Sequence, residues 1–228
     1  MSTAPHVRPA ITAAATTACL ALLLSVLAVL VAVPSASASS TPALVVRGCN
    51  AYTGAKTLGT TYTDTFVKIY ACGVRPSWDG TKSGSGVVVR PFAGSTTYYR
   101  GYQCIELVAR YLQARYAALP GVANGAQAVD RYAAAYPTKF LKIANGTVRK
   151  APIRGDVLSL SATSAFSDVG HTGIVISSSV DYAGNGSIKA MEQNFGGTQG
   201  AKGYHTYTVK AWRVKFAGLP YIKWLRAR

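Results

Sequence analysis

The spacing of apolar residues changes once along this chain, and that change limits its fold more than any other feature. From Cys104 to Tyr116, the positions Ile105, Val108, Ala109, Leu112 and Tyr116 recur at helical spacing on one face. Arg110, Gln113 and Arg115 lie away from that face. A second helix is expected from Ala126 to Tyr136, stopped by Pro137. Beyond Pro152 the period falls to that of strands: Asp156 to Leu160, Thr172 to Ser178, Ile188 to Phe195, Tyr204 to Val214 and Tyr221 to Leu225, with a turn at Asn185-Gly186. Residues 39–72 alternate small, β-branched and aromatic residues and also read as strands, and Val87 to Val89 is a short one. Helices followed by a meander imply an α+β domain, with N-terminal helices packed on one side of an antiparallel β-sheet.

The first residues are of another kind. Ala18 to Val33 is a sixteen-residue run broken only by Ser25. A membrane span needs about 20 apolar residues, so this one is short. It follows Arg8 and precedes Pro34 and the small residues Ser35-Ala36-Ser37-Ala38. A basic start, an apolar middle and an A-x-A end make a secretory signal peptide over residues 1–38, cut after Ala38 or alternatively Ala36. An uncleaved anchor is the rival reading. The mature protein is expected to be secreted, extracellular or wall-associated, monomeric and without a membrane span.

Removing residues 1–38 leaves Cys49, Cys72 and Cys104. Exported proteins keep cysteines paired, and an odd count leaves one over. Cys49 and Cys72 bracket a short segment and are expected to form a disulfide, clamping an accessory β segment over residues 39–69. Cys104 is then the free thiol. Processing removes one arginine and no acid, so the formal charge falls from +16 to +15. Such a charge favours anionic partners. Lys and Arg are scattered rather than clustered, so no nucleic acid is expected. Asp64 and Asp79 are isolated and no Cys/His cluster has zinc spacing, so no metal or other cofactor is expected.

Cysteine hydrolysis needs a thiolate, a base, a holder for the base and donors for an oxyanion. Cys104 opens a helix, where unpaired N–H groups and the helix dipole favour a thiolate. Gln103, just before it, can add a side-chain donor. His171 and His205 are the only histidines beyond the leader. His171 lies in Gly170-His171-Thr172-Gly173, where glycines permit close approach, and is the preferred base. His205 sits among Tyr204, Thr206 and Tyr207 as an exposed strand residue. In Met191-Glu192-Gln193-Asn194-Phe195, strand alternation puts Glu192 and Asn194 on one face and the other three on the opposite face. Either Glu192 or Asn194 can then hold the imidazole.

Four motifs in order now carry a family resemblance. Gly101-Tyr102-Gln103-Cys104-Ile105-Glu106-Leu107-Val108-Ala109-Arg110-Tyr111 resembles the nucleophile motif of CHAP domains, the cysteine- and histidine-dependent amidohydrolase/peptidases. Ala151-Pro152-Ile153-Arg154-Gly155-Asp156-Val157 resembles their Pro-x-x-Gly-Asp strand entry. Gly170-His171-Thr172-Gly173-Ile174-Val175 resembles their histidine strand, and Glu192-Gln193-Asn194 their Glu-x-Asn element. Tyr221 to Arg226 is similar to their closing strand. The resemblance implies a papain-like fold over residues 70–228. It implies Cys104 as nucleophile, His171 as base, Glu192 orienting His171 and Asn194 assisting. It also implies a peptidoglycan substrate, cut as an N-acetylmuramoyl-L-alanine amidase or as a stem or cross-bridge endopeptidase. Anionic wall polymers are the further expected partners. The alternative is a basic module with a hydrolase fold that binds wall polymer or nucleic acid without cleaving it, through aromatics such as Tyr98 and Tyr99.

Overall fold

A computed structural model describes residues 44–49, 56–73, 88–92, 94–161, 169–195, 202–216 and 221–228. The signal peptide expected over residues 1–38 and the Gly/Ser-rich stretch from Asp79 to Gly86 lie outside the described residues.

Three strands come first: β1 (Val45–Arg47), β2 (Lys56–Thr63) and β3 (Val67–Gly73). β3 is central, with β1 parallel and β2 antiparallel to it. β4 (Val88–Val89) and β5 (Tyr99–Arg100) make a short ribbon. The cysteine helix α1 spans Cys104–Tyr116, the bounds its apolar spacing predicts. It ends at Ala117, which takes a left-handed φ of 49° while its N–H donates to the Leu112 and Gln113 carbonyls. The second helix is shorter than its pattern suggests. A 3-10 turn at Gly125–Gln127, capped by Asn124, leads into α2 (Ala128–Ala135).

Seven strands complete the fold: β6 (Phe140–Ala144), β7 (Val157–Leu160), β8 (His171–Val180), β9 (Gly186–Met191), β10 (Tyr204–Lys210), β11 (Arg213–Lys215) and β12 (Ile222–Ala227). They form one antiparallel sheet in the order β11-β10-β9-β8-β7-β12-β6. The run from Tyr204 to Val214, expected as a single strand, is a hairpin. Ala211 and Trp212 both take positive φ, 48° and 66°, which matches the twist of a two-residue turn.

The sheet's two faces explain the packing. Val157, Ile174, Met191 and Leu225 pack against Leu107, Val108, Tyr111 and Tyr132 of the helices, together with Ile69 and Val67 of β3. Leu158, Leu160, Val175, Ile188, Tyr207 and Trp224 point the other way and pack on one another. Only a sheet curled upon itself can bury that second face without a further layer. The fold is thus the expected α+β class: helices against a curled antiparallel sheet, a half-barrel.

α1 departs from the amphipathic pattern in an instructive way. Every residue from Cys104 to Leu112 is buried, because α1 touches β8 on one side and β1 and β3 on the other. Arg110, which lies away from the apolar stripe, is only 3% exposed. It survives there because each donor finds a partner: both Glu106 carboxylate oxygens, the carbonyls of Arg47 and Tyr70, and Gln193 Oε1.

The Pro-x-x-Gly-Asp segment also has a structural task. Asp156 accepts from the Ile153 N–H and binds Arg226 of β12 in a forked pair, while Arg226 also donates to the Ala151 carbonyl. Burial pushes the Asp156 carboxyl up, against the lowering effect of Arg226. Cys49 and Cys72 form the expected disulfide, buried beside Tyr102. Among the described residues, no helix is long and apolar enough to cross a membrane.

Candidate active site

Cys104 is the first residue of α1 and the one free cysteine among the described residues. Gln103 before it is extended (φ −78°, ψ 159°), and its carbonyl accepts from the Glu106 and Leu107 N–H groups. The turn into the helix is therefore closed by backbone bonds rather than by a capping side chain. The N–H groups at the start of the first turn, that of Cys104 among them, have no partner within the helix.

His171 opens β8 and is 2% exposed. Two glycines let it sit so deep. A Cβ on Gly125 would lie 2.6 Å from the His171 carbonyl carbon. One on Gly170, which has φ 62°, would lie 2.4 Å from the Leu160 carbonyl oxygen. The imidazole neighbours the Cys104 thiol, which acts on its charge, and its Nε2 lies 3.1 Å from Glu192 Oε2. With Nε2 engaged by Glu192, Nδ1 is the ring nitrogen left for proton exchange with the thiol. Burial pulls the imidazolium down, but the negative charges of Cys104 and Glu192 outweigh it, and the pKa is pushed up to about 10. The arrangement favours the charged form of the imidazole.

Glu192 follows directly after β9 and has no exposed surface. Its second oxygen, Oε1, accepts from the Tyr207 hydroxyl at 2.6 Å. The register pairs Ile174 with Met191, which sets Glu192 opposite Gly173 rather than opposite His171. The carboxylate crosses Gly173 to reach the imidazole: a Cβ there would lie 2.6 Å from Glu192 Cγ.

The strand alternation expected for 191–195 does not hold. β9 ends at Met191 and Asn194 takes a left-handed φ of 55°, so successive side chains no longer alternate. Gln193 is wholly buried on the side of α1. Its Oε1 accepts from the Cys72 N–H and from Arg110; its Nε2 donates to the Gln103 carbonyl and to Glu106. Asn194 Nδ2 donates to Gln103 Oε1. Phe195, expected on the face away from Glu192, has its ring 5.2 Å from that of His171.

His205 is half-buried rather than exposed. Its ring packs on Phe195, Tyr207 and Phe216, at centroid distances of 4.6, 4.6 and 5.2 Å. Burial, with His171 adding to it, holds its pKa down against the pull of Glu192. The structure thus brings Gln103, Cys104, His171, Glu192 and Asn194 together and places His205 behind Phe195.

Three neighbours escape a reading of the sequence: Tyr207, Gln193 and Phe195. Tyr207 alone left a signal, since it lies two residues from His205 on the inward face of β10. An open cleft of about 440 Å³ runs alongside, lined by Gln103 and Ile105 from α1, by Thr96 to Tyr99 and by Gly121 to Ala123. Among the described residues, no charged side chain lines it.

Residues 93–194 match the family described as CHAP domain. No curated protein matches the chain.

Proposed function

We propose that this CHAP-domain protein is a secreted cysteine hydrolase that cleaves amide bonds in peptidoglycan, as an N-acetylmuramoyl-L-alanine amidase or as a stem or cross-bridge endopeptidase. The match to the CHAP domain supports a hydrolase of the peptidoglycan amidase or peptidase type. The single observation that carries the reading is the buried line of Cys104, His171 and Glu192, with Tyr207 behind it.

In the proposed reaction, His171 takes the Cys104 proton and the thiolate attacks the carbonyl carbon of the amide. The oxyanion is held by the Cys104 N–H and the Gln103 side-chain amide. The imidazolium gives its proton to the leaving amine, and the C–N bond breaks. Water, deprotonated by His171, then attacks the thioester and releases the acid and the thiol. Glu192 keeps the ring oriented throughout and stabilises its charged form. No cofactor enters any step.

Export is proposed on the leader-like residues 1–38 and on a disulfide of the kind that oxidising compartments preserve. Attraction to anionic wall polymers is proposed on charge. All six acids among the described residues are already engaged: Asp64 with Arg115, Glu106 with Arg110, Asp130 with Lys142 and Lys223, Asp156 with Arg226, Asp181 with backbone N–H groups and Glu192 with His171. Digestion of purified peptidoglycan, with mass spectrometry of the released fragments, tests the function and identifies the bond. New amino and carboxyl ends from the parent protein support it. Retention on the polymer with no new ends would favour the non-catalytic binding module.

A further inference from the structure

Gln193 and Asn194, the two residues after Glu192, both hold Gln103. Gln193 Nε2 donates to the Gln103 backbone carbonyl at 3.1 Å, and Asn194 Nδ2 donates to the Gln103 side-chain oxygen. Gln193 is itself fixed by Cys72, Arg110 and Glu106, and Asn194 is set by its left-handed backbone. One residue therefore pins the main chain of Gln103 while the next pins its side chain.

A glutamine amide has an accepting end and a donating end, and the two differ only by a half-turn. The contact with Asn194 decides between them. With Oε1 accepting from Asn194, the donating NH₂ is the end presented to a ligand in the cleft that Gln103 lines. We propose that Gln193 and Asn194 are positioning residues for the oxyanion donor, and that Asn194 sets which end of the Gln103 amide meets the substrate. This rests on the hydrolase reading above. It assigns Asn194 to the oxyanion side of the reaction rather than to the imidazole.

Exchanging the polarity of the Asn194 contact is the test. The Asn194→Asp carboxylate can only accept, so Gln103 must turn its NH₂ toward it and its oxygen toward the substrate. Kinetics are measured with a soluble peptidoglycan stem peptide. Gln103→Ala should lower kcat by about 10²-fold with little change in KM, the usual effect of losing one oxyanion donor. Asn194→Asp should lose at least as much, and Asn194→Ala about tenfold, because a loose amide still samples the right orientation. Adding Asn194→Ala to Gln103→Ala should cost less than about twofold more, as for two residues acting through one group. The pH limits of kcat/KM in Asn194→Ala should match the parent's; a residue that oriented His171 would shift them. Independent of turnover, the ¹⁵N side-chain amide protons of Gln103 should move downfield in Asn194→Asp, where they donate to a charged acceptor. Unmoved Gln103 resonances, additive losses in the double variant or a shifted pH profile would each overturn the assignment. A parent protein that cleaves nothing would sink the hydrolase reading, while the Gln103 resonances would still decide the clamp.

Discussion

Glu192 lies across Gly173, so close that a Cβ on that glycine would sit 2.6 Å from its Cγ and 3.2 Å from its Oε1. The diagonal reach from one strand end to His171 exists only because the intervening residue has no side chain. Gly173→Ala is expected to push Glu192 aside, costing about 1–3 kcal/mol of stability by overpacking. Activity should fall further than stability does, and circular dichroism melts beside peptidoglycan digestion separate the two effects.

Glu192→Gln keeps the shape and removes the charge. The neutral amide no longer favours the imidazolium, so the His171 pKa should fall from its raised position. Losing the orienting carboxylate of a triad costs about 10⁴-fold in kcat, and a loss of that order is expected here. The His171 ring protons, followed by NMR against pH, give the pKa directly. An unchanged titration would mean that Glu192 does not act on the ring.

The same raised pKa has a consequence for stability. A histidine raised from 6.5 to about 10 by its partners contributes stability that is complete below pH 6.5 and lost as pH rises toward 10. Chemical denaturation of the parent should therefore show declining stability across that window. In Cys104→Ala one of the groups that raise the His171 pKa is gone, and the decline should be smaller.

Much of this was legible before any coordinates. The apolar spacing of 104–116 delimits α1, and the odd count of three cysteines beyond the leader-like residues 1–38 singles out Cys104. The glycines around His171 mark a place where backbones touch, as Gly125, Gly170 and Gly173 bear out. Other features depend on contacts that periodicity cannot encode. The burial of Arg110, off the apolar stripe, is invisible to helical spacing, which knows nothing of β1 and β3 on that side. The alternation of 191–195 fails because a left-handed Asn194 breaks the strand. His205 and Tyr207 acquire their neighbours only when β10 pairs with β9.

Arg226→Ala should be among the most damaging changes far from the site. It leaves Asp156, 2% exposed, without its charge partner. Removing one member of a buried pair costs about 3–5 kcal/mol. Thermal unfolding measures this, and it should exceed the loss from Lys142→Ala, whose ion pair with Asp130 is largely exposed.

Reducing the Cys49–Cys72 bridge should lower stability by about 3 kcal/mol, the chain-entropy value for a loop of this size. Tyr102 donates to the Cys49 carbonyl and Gln193 accepts from the Cys72 N–H. Both touch the nucleophile's turn, so activity at temperatures below the melting transition should fall as well. Denaturation and digestion assays with and without a thiol reductant check both.

The central claim is that the Cys104 sulfur does the chemistry, and one variant tests it most directly. Cys104→Ala removes a single buried atom from a helix start and should fold like the parent. Incubated with purified peptidoglycan, it should release no new amino groups, while the parent does. Release by a folded Cys104→Ala protein at the parent's rate would contradict the account.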